Sequence, residues 1–176
     1  MKSRFAFFVF VLLLLTVTVC AAQSPMGFSP DEFYRDFLEL NTAFKGPKFD
    51  FQKGNEEEGA RITSGDTLGI YMEYSDDQVT ELYTYYNYLS DDDETAQAAF
   101  SMNYATLAIL WNITEYGSDM SVYRLADADV YTDIAKVYFW LTISAEPLDC
   151  WDYRFQMDTW EEDGYDQGVL YITRAD

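Results

Sequence analysis

The chain has 176 residues, with 11 Lys plus Arg, 31 Asp plus Glu, no His and a formal net charge of −20. Hydrophobic residues make up 49% and aromatics 18%, which excludes a disordered tail, and the length is that of one domain. The lack of His removes Ser-His-Asp triads, Cys-His pairs and His-ligated zinc, and the acidic balance argues against a nucleic-acid partner.

Residues 1–22 have the layout of a cleavable export signal. Lys2 and Arg4 form a basic start, Phe5 to Val19 is apolar apart from Thr16 and Thr18, and Cys20-Ala21-Ala22 is a small-residue exit. The expected mature N-terminus is Ala22 or Gln23. An uncleaved anchor is the first alternative, since Phe5 to Ala22 is close to the shortest bilayer-spanning length. Lipid attachment at Cys20 is a minor one, because Val19 stands where a lipobox needs a small residue. Cleavage takes two bases and no acid, so the remaining single domain, 23–176, is more acidic by two charges. It also removes Cys20 and leaves Cys150 as the sole cysteine, which rules out an internal disulfide in spite of an oxidising destination, periplasmic or extracellular. No other stretch is long and apolar enough to cross a membrane.

Along the domain, the first element is a helix at about 30–44. Ser29 is its cap, Pro30 its first residue, Glu32 closes a capping box, and Phe28 with Phe33 makes a hydrophobic staple. Phe33, Phe37, Leu40 and Phe44 form the apolar stripe, and Lys45-Gly46-Pro47 ends it. A short strand is expected at 48–52, a charged loop at 54–59 and a turn at 64–67. Strands at 68–74 and 79–89 flank a polar connection of hairpin length. In the first, Leu68, Ile70, Met72 and Tyr74 share a face. In the second, Leu82, Tyr86 and Tyr88 face one way and Tyr83, Tyr85 and Leu89 the other.

A second helix is expected at about 91–112, capped by Ser90 with Asp93 at N3 and striped by Phe100, Tyr104, Leu107 and Trp111. Residues 121–144 fit either a helix, through Val130, Ile134, Val137 and Leu141, or a buried strand; the balance favours a helix at 128–141. A final hairpin, Tyr153 to Thr159 and Val169 to Thr173, turns around Glu161-Glu162-Asp163-Gly164. The order α-β-β-β-α-α-β-β lacks a βαβ rhythm. It indicates an α+β fold, an antiparallel sheet of about five strands with two or three helices packed against it.

The candidate chemistry is sparse. Asp91, Asp92, Asp93 and Glu94 could offer oxygen ligands to a hard cation, but contiguous helix residues point in different directions, and acids at a helix start are favoured by its dipole anyway. Asp127, Asp129 and Asp133 begin like a calcium loop, yet Thr132 stands where that loop needs Gly. Asn112-Ile113-Thr114 matches a glycosylation sequon. No motif implies a cofactor. Tyr71, Tyr83 and Tyr85 alternate against the aliphatic face and are the candidate exposed aromatic patch, a composition typical of interface cores. The resulting expectation is an exported, non-enzymatic protein-binding module, such as a chaperone, inhibitor or surface-complex component. Its partner would be a cationic or neutral protein surface, because the charge repels nucleic acid and anionic membranes. The alternatives are a cation-stabilised structural or binding protein and a small carboxylate-dependent polysaccharide hydrolase.

Overall fold

A computed structural model describes residues 24–116, 128–144 and 146–175. Residues 1–22, expected from the sequence to be an export signal and including Cys20, and Asp127 of the calcium-loop candidate lie outside the described residues.

Helix α1 (Pro30–Ala43) begins where the sequence places it, and the capping box is complete. The Ser29 backbone N–H donates to the Glu32 carboxylate at 2.8 Å, and the Glu32 N–H donates to Ser29 Oγ at 3.3 Å. Phe28 stacks on Phe33 at 5.4 Å, which is the staple. Phe33, Phe37 and Leu40 are buried, and Phe44 meets Tyr104 edge-on at 5.7 Å.

Strands β1 (Asp50–Lys53), β2 (Ala60–Ser64), β3 (Leu68–Ser75) and β4 (Gln78–Leu89) form an antiparallel meander. Helices α2 (Asp93–Tyr116) and α3 (Ala128–Ile143) follow. The chain then returns through β5 (Leu148–Cys150), β6 (Tyr153–Glu162) and β7 (Tyr165–Arg174), stepping inward until β7 pairs with β4. The result is a seven-stranded antiparallel sheet in the order β1-β2-β3-β4-β7-β6-β5. Three hairpins turn through two consecutive positive-φ residues, Asp76-Asp77, Trp151-Asp152 and Asp163-Gly164. That geometry matches the twist of the flanking strands. Lys53 holds the first of these turns to α1, reaching Asp31 at 2.5 Å and Asp77 at 2.6 Å.

The α+β class, the helices and the antiparallel sheet agree with the sequence reading; the sheet has seven strands instead of about five. Strand β2 is short and follows a charged loop, and β5 holds three residues after Pro147, so neither carries a long pattern. The last hairpin extends beyond the expected ends, to Glu162 paired with Tyr165, because ladder hydrogen bonds continue where side-chain propensity has stopped favouring a strand. Helix α2 is capped by Asp92 instead of Ser90. The Asp92 carboxylate accepts from Thr95 N–H at 3.0 Å and from its hydroxyl at 2.7 Å, while Ser90 is drawn to Asp166 on β7.

The three helices lie on one face of the sheet. Beneath them Ile62, Ile70, Met72, Leu82, Tyr153, Phe155 and Ile172 are fully buried with Met102 and Leu107 of α2. Thr84 and Asn103, both buried, join β4 to α2 through a 2.5 Å hydrogen bond.

Candidate functional site

The opposite sheet face is not covered by any described helix, and antiparallel alternation decides which side chains reach it. The register aligns Arg61, Tyr71, Tyr83, Tyr171 and Gln156 in one row across five strands. The next row aligns Thr63, Gly69, Tyr85, Val169 and Asp158. The three tyrosines singled out from sequence therefore come together on adjacent strands. Tyr71 stacks on Tyr83 at 5.0 Å, and Tyr83 lies 6.0 Å from Tyr171.

Tyr71 and Tyr85 each lie over a glycine. The Tyr71 hydroxyl donates to the Glu58 carbonyl at 3.0 Å, and the ring leans over Gly59, where a Cβ would fall within 3.0 Å of it. The Arg61 guanidinium lies over the same ring, 5.9 Å from its centroid. Tyr85 lies across Gly69, its cross-strand partner, whose missing side chain leaves the space. Burial, followed by neighbouring Tyr71 and Glu73, pushes the Tyr83 hydroxyl above its ordinary pKa; burial and Asp66 do the same for Tyr85. Both remain hydrogen-bond donors throughout the neutral range.

Between the stacked Tyr71–Tyr83 pair and Tyr85 is a hollow of about 340 Å³ lined by Arg61, Thr63, Ile70, Tyr71, Tyr83 and Tyr85. It contains no carboxylate and no pairing of nucleophile with base. Acids stand around it instead: Glu73 and Glu81 face each other across β3 and β4 in the row beside Tyr71 and Tyr83. Exposed Tyr171, Trp160, Tyr165 and Leu89 continue the apolar surface toward the far ends of β4, β6 and β7.

Tyr171, Arg61 and Thr63 were not among the sequence candidates. Tyr171 alternates with Val169 and Thr173, but its place beside Tyr83 depends on the long-range β4–β7 pairing. Arg61 and Thr63 follow from β2, whose alternation with Ala60 and Ile62 is visible only over five residues.

The other candidates are dispersed. Asp92 caps α2, whereas Asp91, Asp93 and Glu94 are exposed around its first turn. Asp133 pairs with Lys136 at 3.0 Å. Among the described residues, no three Cys, His, Asp or Glu side chains converge to hold a metal. A second cleft of about 610 Å³ lies between the end of α1, the β2–β3 turn and the start of α2; Glu94 is its one acid and Lys45 its one base. Asn112 is fully buried inside α2, so its amide is inaccessible to glycosylation in the folded chain. Cys150 is a half-buried free thiol, pushed up to about 11 by burial and then by Asp149.

No described helix is long and apolar enough to cross a membrane. Comparison with known proteins finds no matching family model, no matching curated protein and no matching solved structure.

Proposed function

We propose that the chain is an exported, non-enzymatic binding module whose open sheet face docks another protein. The observation that carries this reading is the Tyr71–Tyr83–Tyr171 row, standing on a sheet face without a helical cover. Tyrosine loses little side-chain freedom on binding, desolvates well and retains a polar end, so a cluster of them suits the centre of an interface. The row also has a rim, formed by Glu73, Glu81 and Asp158. That rim and the net charge of −20 favour a basic or neutral partner surface and repel nucleic acid and anionic lipid.

Export rests on the signal-like residues 1–22. Intact-mass measurement on protein from its native host should give an N-terminus at Ala22 or Gln23, and a retained Met1 or a lipid mass on Cys20 would refute cleavage. The docking reading is tested by a photo-crosslinker placed at Thr63 or Gln156 on the open face and, as control, at Phe139 on α3, within the native exported fraction. The expected result is a protein captured from the open-face positions that also binds when purified, with affinity at least about tenfold weaker for Tyr83→Ala. Capture from Phe139 alone, or an unchanged affinity for Tyr83→Ala, would refute it.

A further inference from the structure

Arg61 is conspicuous in so acidic a chain. Arg35, Lys48, Lys53, Lys136, Arg154 and Arg174 each have a carboxylate oxygen within 4.0 Å. Among the described residues, Arg61 and Lys45 do not. Arg61 instead rests on the Tyr71 ring at the end of the tyrosine hollow, the one charged group in its lining. With 31 acids in the chain, an arginine left without one, and held in place by an aromatic face, is poised for an acid supplied from outside.

The surroundings define that acid. A guanidinium presents a planar fork that matches a carboxylate. Thr63, Tyr83 and Tyr85 add hydroxyl groups around the same space. A singly charged group is favoured over a phosphate, because every further negative charge meets the field of the whole chain. The hollow, at about 340 Å³, is too large for a carboxylate alone, and its walls are aromatic. The end of a polypeptide brings a carboxylate and an apolar side chain from the same residue, whereas an Asp or Glu side chain brings a carboxylate with little to place against the rings. Nearby Glu73 and Asp66 then favour basic residues just before the terminus.

We propose that the hollow between Arg61, Tyr83 and Tyr85 captures the C-terminal carboxylate of the partner polypeptide, with the last side chain against the tyrosine rings. This rests on the docking reading of the same face and names what that face reads.

The test compares the synthetic peptide Ac-Lys-Lys-Ala-Ala-Phe as free acid and as C-terminal amide, followed by NMR shifts of the Tyr83, Tyr85 and Arg61 side chains. The expected result is at least about tenfold tighter binding of the acid. Arg61→Gln, an exposed substitution, should erase that difference and shift the urea midpoint only slightly, through the lost contact with the Tyr71 ring. Arg61→Lys should restore it in part, because a point charge replaces the fork. Equal affinity of acid and amide, with open-face shifts, would overturn the carboxylate assignment and leave the docking face standing. Equal binding by an amidated peptide ending in Asp would overturn the chain terminus in favour of a side-chain acid. Inorganic phosphate binding as tightly as the acid would overturn it in favour of a general anion site. Shifts confined to the helices, or none with either peptide at about 1 mM, would overturn the inference and count against the docking reading too.

Discussion

Strand β4 presents tyrosines to both faces of the sheet, and the two sets do different work. Tyr86 and Tyr88 face the helices. Burial is the main cause that lifts the Tyr86 hydroxyl far above its ordinary pKa, and its ring fills the space over Gly168 on β7. Tyr83 and Tyr85 face outward, Tyr83 between Tyr71 and Tyr171 and Tyr85 over Gly69, with no described helix above them. The same residue type in the same strand is structural where helices cover it and available where they do not. Alternation along the strand thus separates the stability of the fold from the surface it offers.

The largest effect is expected beneath the helices. Phe37→Ala empties a fully buried position where Phe37 packs on Phe33 and Phe49, and it should cost about 3–5 kcal/mol in urea melts. A loss near zero would mean that α1 does not belong to the core.

Two glycines sharpen the contrast, since a Cβ at either would come within 3.0 Å of a tyrosine ring. At Gly168 the ring is Tyr86, confined under the helices, so Gly168→Ala should cost about 1–3 kcal/mol. At Gly69 the ring is Tyr85, which is free to swing into solvent, so Gly69→Ala should cost less and instead move the Tyr85 resonances. Equal losses at the two sites would break the distinction between the faces.

Ser29→Ala removes the acceptor for Glu32 N–H and half of the capping box, and should cost about 0.5–2 kcal/mol, below Phe37→Ala. A reversed order would indicate that the cap, and not the stripe, secures α1.

The alkaline limb of stability should report the covered face as well. Cys150 is pushed up to about 11 and Tyr153 to about 12, burial being the first cause for both. A group whose pKa is raised by folding stabilises fully below its unfolded pKa and loses that contribution as pH rises through the folded value. Stability should therefore fall from about pH 9 upward. Cys150→Ala should remove about 1 kcal/mol of that fall, after discounting for the thiol's partial exposure. At pH 8 the thiol should react with a thiol reagent at least about tenfold more slowly than free cysteine. Rapid labelling of folded protein would contradict a protected thiol.

Local signals were the most legible in the sequence. The box around Ser29 and the stripe from Phe33 to Phe44 predict α1 closely, because a helix is specified by neighbours along the chain. Alternation likewise put Tyr71, Tyr83 and Tyr85 on one face, opposite Leu68, Ile70 and Met72. Which strands neighbour one another was not legible, because β4 pairs with β7 across two helices, and that pairing alone sets Tyr171 beside Tyr83. The place of Arg61 is not legible either, because β2 has five residues and follows a run of glutamates. The cap of α2 was misplaced by two residues: Ser90 and Asp92 are both good cap residues, and it is the contact between Ser90 and Asp166 that selects the latter.

Whether the outward tyrosines serve recognition and not the fold is decided by one pair of urea melts on variants of β4. Tyr86→Ala opens a gap under the helices and should cost about 3 kcal/mol. Tyr83→Ala breaks both open-face ring pairs but empties no core, and should cost about 1 kcal/mol. That order, with a clear gap, is the expected result; a Tyr83→Ala variant as unstable as Tyr86→Ala would make the open row a structural element and overturn the recognition role.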